Sequence, residues 1–327
     1  MKTPDPQALT PEAPEAPAAL PGSADVAGTT FMFPRDGGHR LHVRLAGNPQ
    51  GRPVLVLHGG PGSGCGPRLA ELYDPARCLI ILPDQRGAGL SEPHGATQAN
   101  TTPHLIDDLE ALRTHLGIAR WCVTGGSWGA CLALAYAQAH PQACTALVLR
   151  SSFLPGMGNV NHFFAGLAVQ YPVAWAALDA ASRGPGVSAA PRLLDRLAQA
   201  LADEPTRARA AALAWWRYEQ HIAAPEAPPP PDPSPEQGAA LVRKYRLQAH
   251  YLQAGCFLDE AEFLARCRDV HVPVHLIHGL DDQVCPPANT RRLAEFLPRA
   301  QVHWVERCGH DPFHGGMLER WMQVVCL

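Results

Sequence analysis

The chain lacks any run approaching the roughly 18 consecutive apolar residues that a membrane-spanning helix needs. It has no basic run longer than two residues and a net charge of -3, which leaves a nucleic-acid or polyanion partner without an electrostatic footprint. Its 10 cysteines include no C-x-x-C pair, and its 16 histidines form no H-E-x-x-H. The common zinc signatures are therefore missing, and the chemistry read below calls for no metal or cofactor. Scattered cysteines, some in apolar runs (Cys122, Cys131), read as reduced thiols that pack as small hydrophobes. The opening Met1-Lys2-Thr3-Pro4-Asp5 has no apolar signal core, so the expected location is cytoplasmic, with no membrane partner.

What is present suits one large α/β unit with an insertion, given 327 residues of which 46% are hydrophobic. Residues 1–28 are rich in Pro, Ala and Glu without apolar periodicity, and are expected to be a disordered tail. Short apolar runs follow: Val54-Leu55-Val56-Leu57, Leu79 to Leu82, Trp121 to Thr124, Ala146 to Leu149, Val274 to Ile277 and Val302 to Val305. Continuous apolarity rather than alternation predicts strands covered on both faces, as in a parallel sheet. Helical patterns at Leu105 to Leu116, Ala130 to His140 and Arg291 to Leu297 separate several of them. Asp36-Gly37-Gly38 between Phe31-Met32-Phe33 and Leu41 to Arg44 predicts an N-terminal hairpin. The rhythm breaks over 155–268, which reads mostly helical and is expected to be a cap inserted between core segments 29–154 and 269–327. Within it a Pro-rich stretch, 224–237, predicts an exposed loop.

Gly125-Gly126-Ser127-Trp128-Gly129 fits G-x-S-x-G and lies between a predicted strand and a predicted helix, the context that motif requires. A serine hydroxyl is a weak nucleophile at neutral pH, so it needs a base, and the base needs an orienting acid. His278-Gly279-Leu280-Asp281-Asp282 offers two acids past a strand end, and spacing does not choose between Asp281 and Asp282. Gly309-His310 follows the last predicted strand and supplies the base. A tetrahedral intermediate needs donors for its oxyanion. The run His58-Gly59-Gly60-Pro61-Gly62 offers backbone N–H groups, Gly60 foremost, and the N–H of Trp128 offers another. A phosphate loop is excluded there, since no Gly-Lys-Ser/Thr follows.

Together, His58 to Gly62, Asp84-Gln85-Arg86-Gly87-Ala88-Gly89-Leu90-Ser91 and the Ser127 pentapeptide resemble the prolyl aminopeptidases, or proline iminopeptidases, serine peptidases of α/β-hydrolase fold. Ala46 to Gly51, Leu132 to Ala137 and His140-Pro141 extend the resemblance to nearly the whole chain beyond the tail. It implies an eight-stranded, mostly parallel sheet with a helical cap, and makes Asp282 the triad acid beside Ser127 and His310. It also implies that cap carboxylates read a free N-terminal amine. Glu219, in Trp215-Trp216-Arg217-Tyr218-Glu219, matches one; Gln248, ahead of His250-Tyr251, stands where the family has the other. Phe153 matches a residue that packs on the proline ring. The expected activity is release of N-terminal proline from small peptides through an acyl-enzyme on Ser127. The competing expectations are a carboxylesterase or amidase on the same scaffold, and a catalytically silent binding module.

Overall fold

A computed structural model describes residues 28–184, 192–313 and 316–325. The Pro/Ala-rich tail expected over 1–28 falls outside these residues except for Gly28. The hairpin forms: β1 (Thr30–Pro34) pairs antiparallel with β2 (Arg40–Gly47), and Gly37 and Gly38 take positive φ in the turn. The apolar runs become β3 (Arg52–Leu57), β4 (Cys78–Pro83), β5 (Trp121–Gly126), β6 (Cys144–Arg150), β7 (Val274–Gly279) and β8 (Ala300–Val305). The sheet has eight strands in the order β1-β2-β4-β3-β5-β6-β7-β8, with β3 to β8 parallel. Every residue of β4 is buried, as a strand covered on both faces must be.

The strand order has one consequence for function. The chain steps from β3 outward to β4, then returns across β3 to reach β5. The carboxyl ends of β3 and β5 therefore flank the switch point, where loops diverge and leave a crevice. Helices α1 (Thr102–His115) and α2 (Trp128–Ala139) follow β4 and β5. Residues Trp128 to Ala137 of α2 are all buried, because small side chains let this helix approach the sheet closely. A Cβ on Gly129 would lie 2.2 Å from the Leu57 carbonyl oxygen, so only glycine permits that approach.

Between β6 and β7 run α3 (Met157–Phe164), α4 (Pro172–Ser182), α5 (Leu193–Ala202), α6 (Pro205–Ala223), α7 (Pro235–Gln253) and α8 (Glu260–Arg266). The Pro-rich loop ends sooner than the residue 237 expected from sequence. Ser234 caps α7 in a reciprocal box with Gln237, and Pro235 occupies the first turn, where its missing N–H has no partner to lose. Trp215 of α6 stacks on Tyr245 of α7 with centroids 4.8 Å apart, clamping the two helices together. Tyr251 and His250 of α7 hydrogen-bond Asn100 ahead of α1, at 2.7 and 2.8 Å, which fastens α7 to the sheet-bearing part. After β7 comes α9 (Pro287–Phe296) and after β8 comes α10 (Met317–Val325), whose Trp321 meets Tyr73 edge to face. No described helix is long and apolar enough to cross a membrane.

Candidate active site

Ser127 sits at the turn from β5 into α2 with φ 57 and ψ -124, a strained conformation for a residue with a side chain. The surroundings over-determine it. Its N–H donates to the Arg150 carbonyl at 3.0 Å, and the Arg150 guanidinium packs so closely on Gly126 that a Cβ there would lie 2.5 Å from Nη2. Gly59, at the end of β3, lies against Ser127, its would-be Cβ 3.4 Å from the serine Cβ.

The acid and base come from the loops after β7 and β8. Asp282 Oδ2 accepts a hydrogen bond from His310 Nδ1 at 2.8 Å, while Oδ1 accepts the N–H groups of Val284 and Cys285 at 3.0 and 2.9 Å. Asp281 is exposed, so the structure selects Asp282 as the partner of His310. Burial pushes the Asp282 carboxyl up, but the His310 charge and these hydrogen bonds outweigh it and bring it down to about 2. It is an obligate anion at neutral pH, and it leaves His310 Nε2 as the ring nitrogen free for chemistry. The Arg150 guanidinium also donates to the His310 carbonyl and, at 3.0 Å, to Ser151 Oγ. One residue thus holds both the serine turn and the histidine loop. Sequence reasoning missed it, although an arginine closing the otherwise apolar Cys144–Arg150 strand was a visible signal.

The Ser127 hydroxyl faces the Cys285 thiol, with Oγ 3.8 Å from Sγ, and makes no hydrogen bond to His310. Burial pushes the Cys285 thiol well up, so it is protonated there. The Trp128 N–H opens α2, at the positive end of that helix. Gly60 lies on the facing loop with φ 33. The Asp84-Gln85-Arg86 motif braces this loop. Gln85 donates to the His58 carbonyl at 3.1 Å and accepts the Trp128 indole N–H at 2.9 Å, joining the ends of β3 and β5. His58 Nε2 accepts the Gln85 N–H at 3.1 Å, and burial holds this imidazole neutral. Arg86 pairs with buried Asp108 at 2.7 Å.

A cavity of about 50 Å³ opens beside Ser127, roofed by the helices between β6 and β7. Phe153, Val160, Phe163, Phe164, Leu252 and Val284 form apolar walls, and Glu219 and Gln248 supply polar atoms. All the residues expected at the site except Asp282 and His310 line it, and those two lie behind Cys285. Glu219 is four residues beyond Trp215, hence on the same helix face, and reaches Lys244 and Tyr245 of α7. Lys244 Nζ stands 3.0 Å from Glu219 Oε2, and the Tyr245 hydroxyl donates to the same oxygen at 2.6 Å. Burial pushes the Glu219 carboxyl up, but the Lys244 charge and the two hydrogen bonds prevail and hold it below its usual range. Nothing in the sequence announced the lysine. Among the described residues no group of three or more His, Cys, Asp or Glu is arranged to hold a metal.

The alpha/beta hydrolase fold family matches residues 52–316, and with the switch-point serine and the Asp282–His310 pair this defines the class as an α/β-fold hydrolase. A proline iminopeptidase of Xylella fastidiosa is 39% identical over 85% of this chain and 89% of its own length. One of Arabidopsis thaliana is 35% identical over 85% of this chain and 74% of its own. This chain belongs to the proline iminopeptidase family. Among solved structures, a proline iminopeptidase of Mycobacterium smegmatis shares the fold, with TM-score 0.58 and 24% identity over 91% of this chain and 97% of that one. An esterase of Rhodococcus shares it too, with TM-score 0.59 and 22% identity over 91% and 97%.

Proposed function

We propose that this hydrolase is an aminopeptidase that releases N-terminal proline from small peptides. The observation that carries the reading is the cavity itself. It starts at the Ser127 hydroxyl, runs between apolar walls suited to a pyrrolidine ring, and reaches hydrogen-bond acceptors on Glu219 and Gln248. A chain extending before the first residue would have to pass the Glu219 and Gln248 side chains that line that end. The Ser127 oxygen attacks the prolyl carbonyl carbon while His310 Nε2 takes the hydroxyl proton. The oxyanion is held by the N–H groups of Gly60 and Trp128. His310 passes its proton to the departing peptide amine as the C–N bond breaks, and water then cleaves the prolyl ester by the same steps in reverse. Asp282 keeps the imidazole in the required tautomer throughout. For this cycle the Ser127 hydroxyl turns from Cys285 toward His310 when substrate enters; such contacts commonly tighten only in the complex.

A second reading, a carboxylesterase or amidase of the same fold, is favoured by one observation: Lys244 already neutralises Glu219. Turnover of proline p-nitroanilide, N-acetyl-proline p-nitroanilide and p-nitrophenyl acetate, with Ser127→Ala as blank, separates the two. Preferential turnover of the first is expected. Turnover of the acetate alone would remove the aminopeptidase reading.

A further inference from the structure

Glu219, at the polar end of the cavity, carries a charge balance that the motifs did not announce, set by Lys244 outside the lining. Glu219 and Lys244 face each other at 3.0 Å as a half-buried ion pair, so together they present no net charge. Gln248, one turn beyond Lys244 on α7, is only 8% exposed, and its Oε1 has no hydrogen-bond partner. Gln248 borders the same cavity as Ser127 and Glu219, and its Oε1 lies beside Gly60, 3.4 Å from where a Cβ there would sit. A buried acceptor without a donor is costly to keep, and this one belongs to a side chain at the edge of the space a substrate fills.

The other titratable groups around this end do not alter the balance. Tyr245 of α7 and Cys285 after β7 are driven toward their neutral forms by burial, as is His58 after β3. His310, after β8, is paired with Asp282. The Asp282 anion lies behind it, close to the Arg150 cation.

The geometry points to a substrate nitrogen held as an uncharged N–H donor on Gln248 Oε1, rather than as an ammonium against a carboxylate. The inference rests on the aminopeptidase reading and names the form of substrate that its site accepts: peptides with the first nitrogen unprotonated. Magnitudes favour it. An N-terminal amine ionises near pH 8, so at pH 7 only about a tenth of the peptide is in the neutral form, a tenfold loss. Burying an ammonium beside an ion pair that is already balanced forfeits its hydration without a countercharge, a penalty well beyond tenfold.

The test measures kcat/KM for proline p-nitroanilide relative to p-nitrophenyl acetate from pH 6.5 to 8.5, so that titration of the catalytic groups cancels. In the wild type the ratio should climb about twentyfold as the amine deprotonates. Gln248→Glu and Lys244→Met each leave the subsite with one net negative charge by a different route. Both should raise the ratio at pH 6.5 about twentyfold over wild type and abolish the climb, with melting temperature reporting that each variant is folded. If Gln248→Glu does not fold, Lys244→Met and the wild-type profile still decide. A wild-type ratio that is flat or falls with pH, or variants that keep the wild-type profile, would overturn the inference while leaving the aminopeptidase intact. Absence of prolyl anilide turnover at every pH would end both.

Discussion

Two carboxylates, one buried and one half-buried, anchor opposite ends of this site, and they are held low in pKa by different means. Asp282 is held by His310, from the loop after β8, and by backbone N–H groups of its own loop past β7. Glu219 depends on side chains of a neighbouring helix, Lys244 and Tyr245, brought to it by the Trp215–Tyr245 stack. In the proposed cycle the first arrangement orients a base. The second sets how a pocket is charged, and a single substitution on α7 re-tunes it.

The sharpest break of this contrast is at the Asp282 end. Asp282→Asn should keep the fold but present the wrong imidazole tautomer, lowering kcat by about 10⁴, as measured with proline p-nitroanilide. A loss below tenfold would mean the pair does not serve catalysis. Arg150→Met leaves Asp282 and His310 in place but releases the histidine loop from the serine turn. It should lower kcat by about a hundredfold with KM little changed, since small misplacements of reacting groups are costly. An equal rise in KM would point to the pocket instead. At the other end, Glu219→Ala strips the counterion from Lys244 and leaves a bare cation facing the amine. KM for the prolyl anilide should rise about tenfold, with a much smaller change for p-nitrophenyl acetate; equal changes would remove Glu219 from the substrate site.

The smallest effect is on stability in acid. The Asp282 carboxyl is depressed from 3.8 to about 2 in the folded protein, so its contribution is present above pH 3.8 and lost as the pH falls through 2. Urea unfolding of wild type and Asp282→Asn should therefore converge by about 2 kcal/mol between pH 5 and pH 2. Glu219 is also depressed, so Glu219→Gln should converge on wild type in the same direction, starting nearer pH 4.5. Parallel stability curves would show that these carboxylates do not hold their protons off in the native state.

Much of the site was legible along the chain because it is local. Gly-Gly-Ser-Trp-Gly between an apolar run and an Ala-rich helix dictates a sharp turn by sterics alone, and the buried β5 and α2 follow from their side chains. The choice of Asp282 over Asp281 was not local. It depends on which side chain the loop buries against His310, and adjacent residues point in different directions. Glu219 was legible as a residue of interest, but its pairing was not: Lys244 lies 25 positions away, on the next helix.

Sequence by itself determined the strands, their order of appearance and the strained serine turn, because apolar run length, glycine position and turn chemistry act over a few residues. Only the tertiary structure decided that Arg150 joins the Ser127 turn to the His310 loop, that Gln85 ties the Gly60 loop to Trp128, and that Glu219 at the cavity is paired with Lys244 beside an unpartnered amide oxygen of Gln248. Those are contacts between distant segments, and Coulomb and hydrogen-bond energies depend on separation in space rather than along the chain.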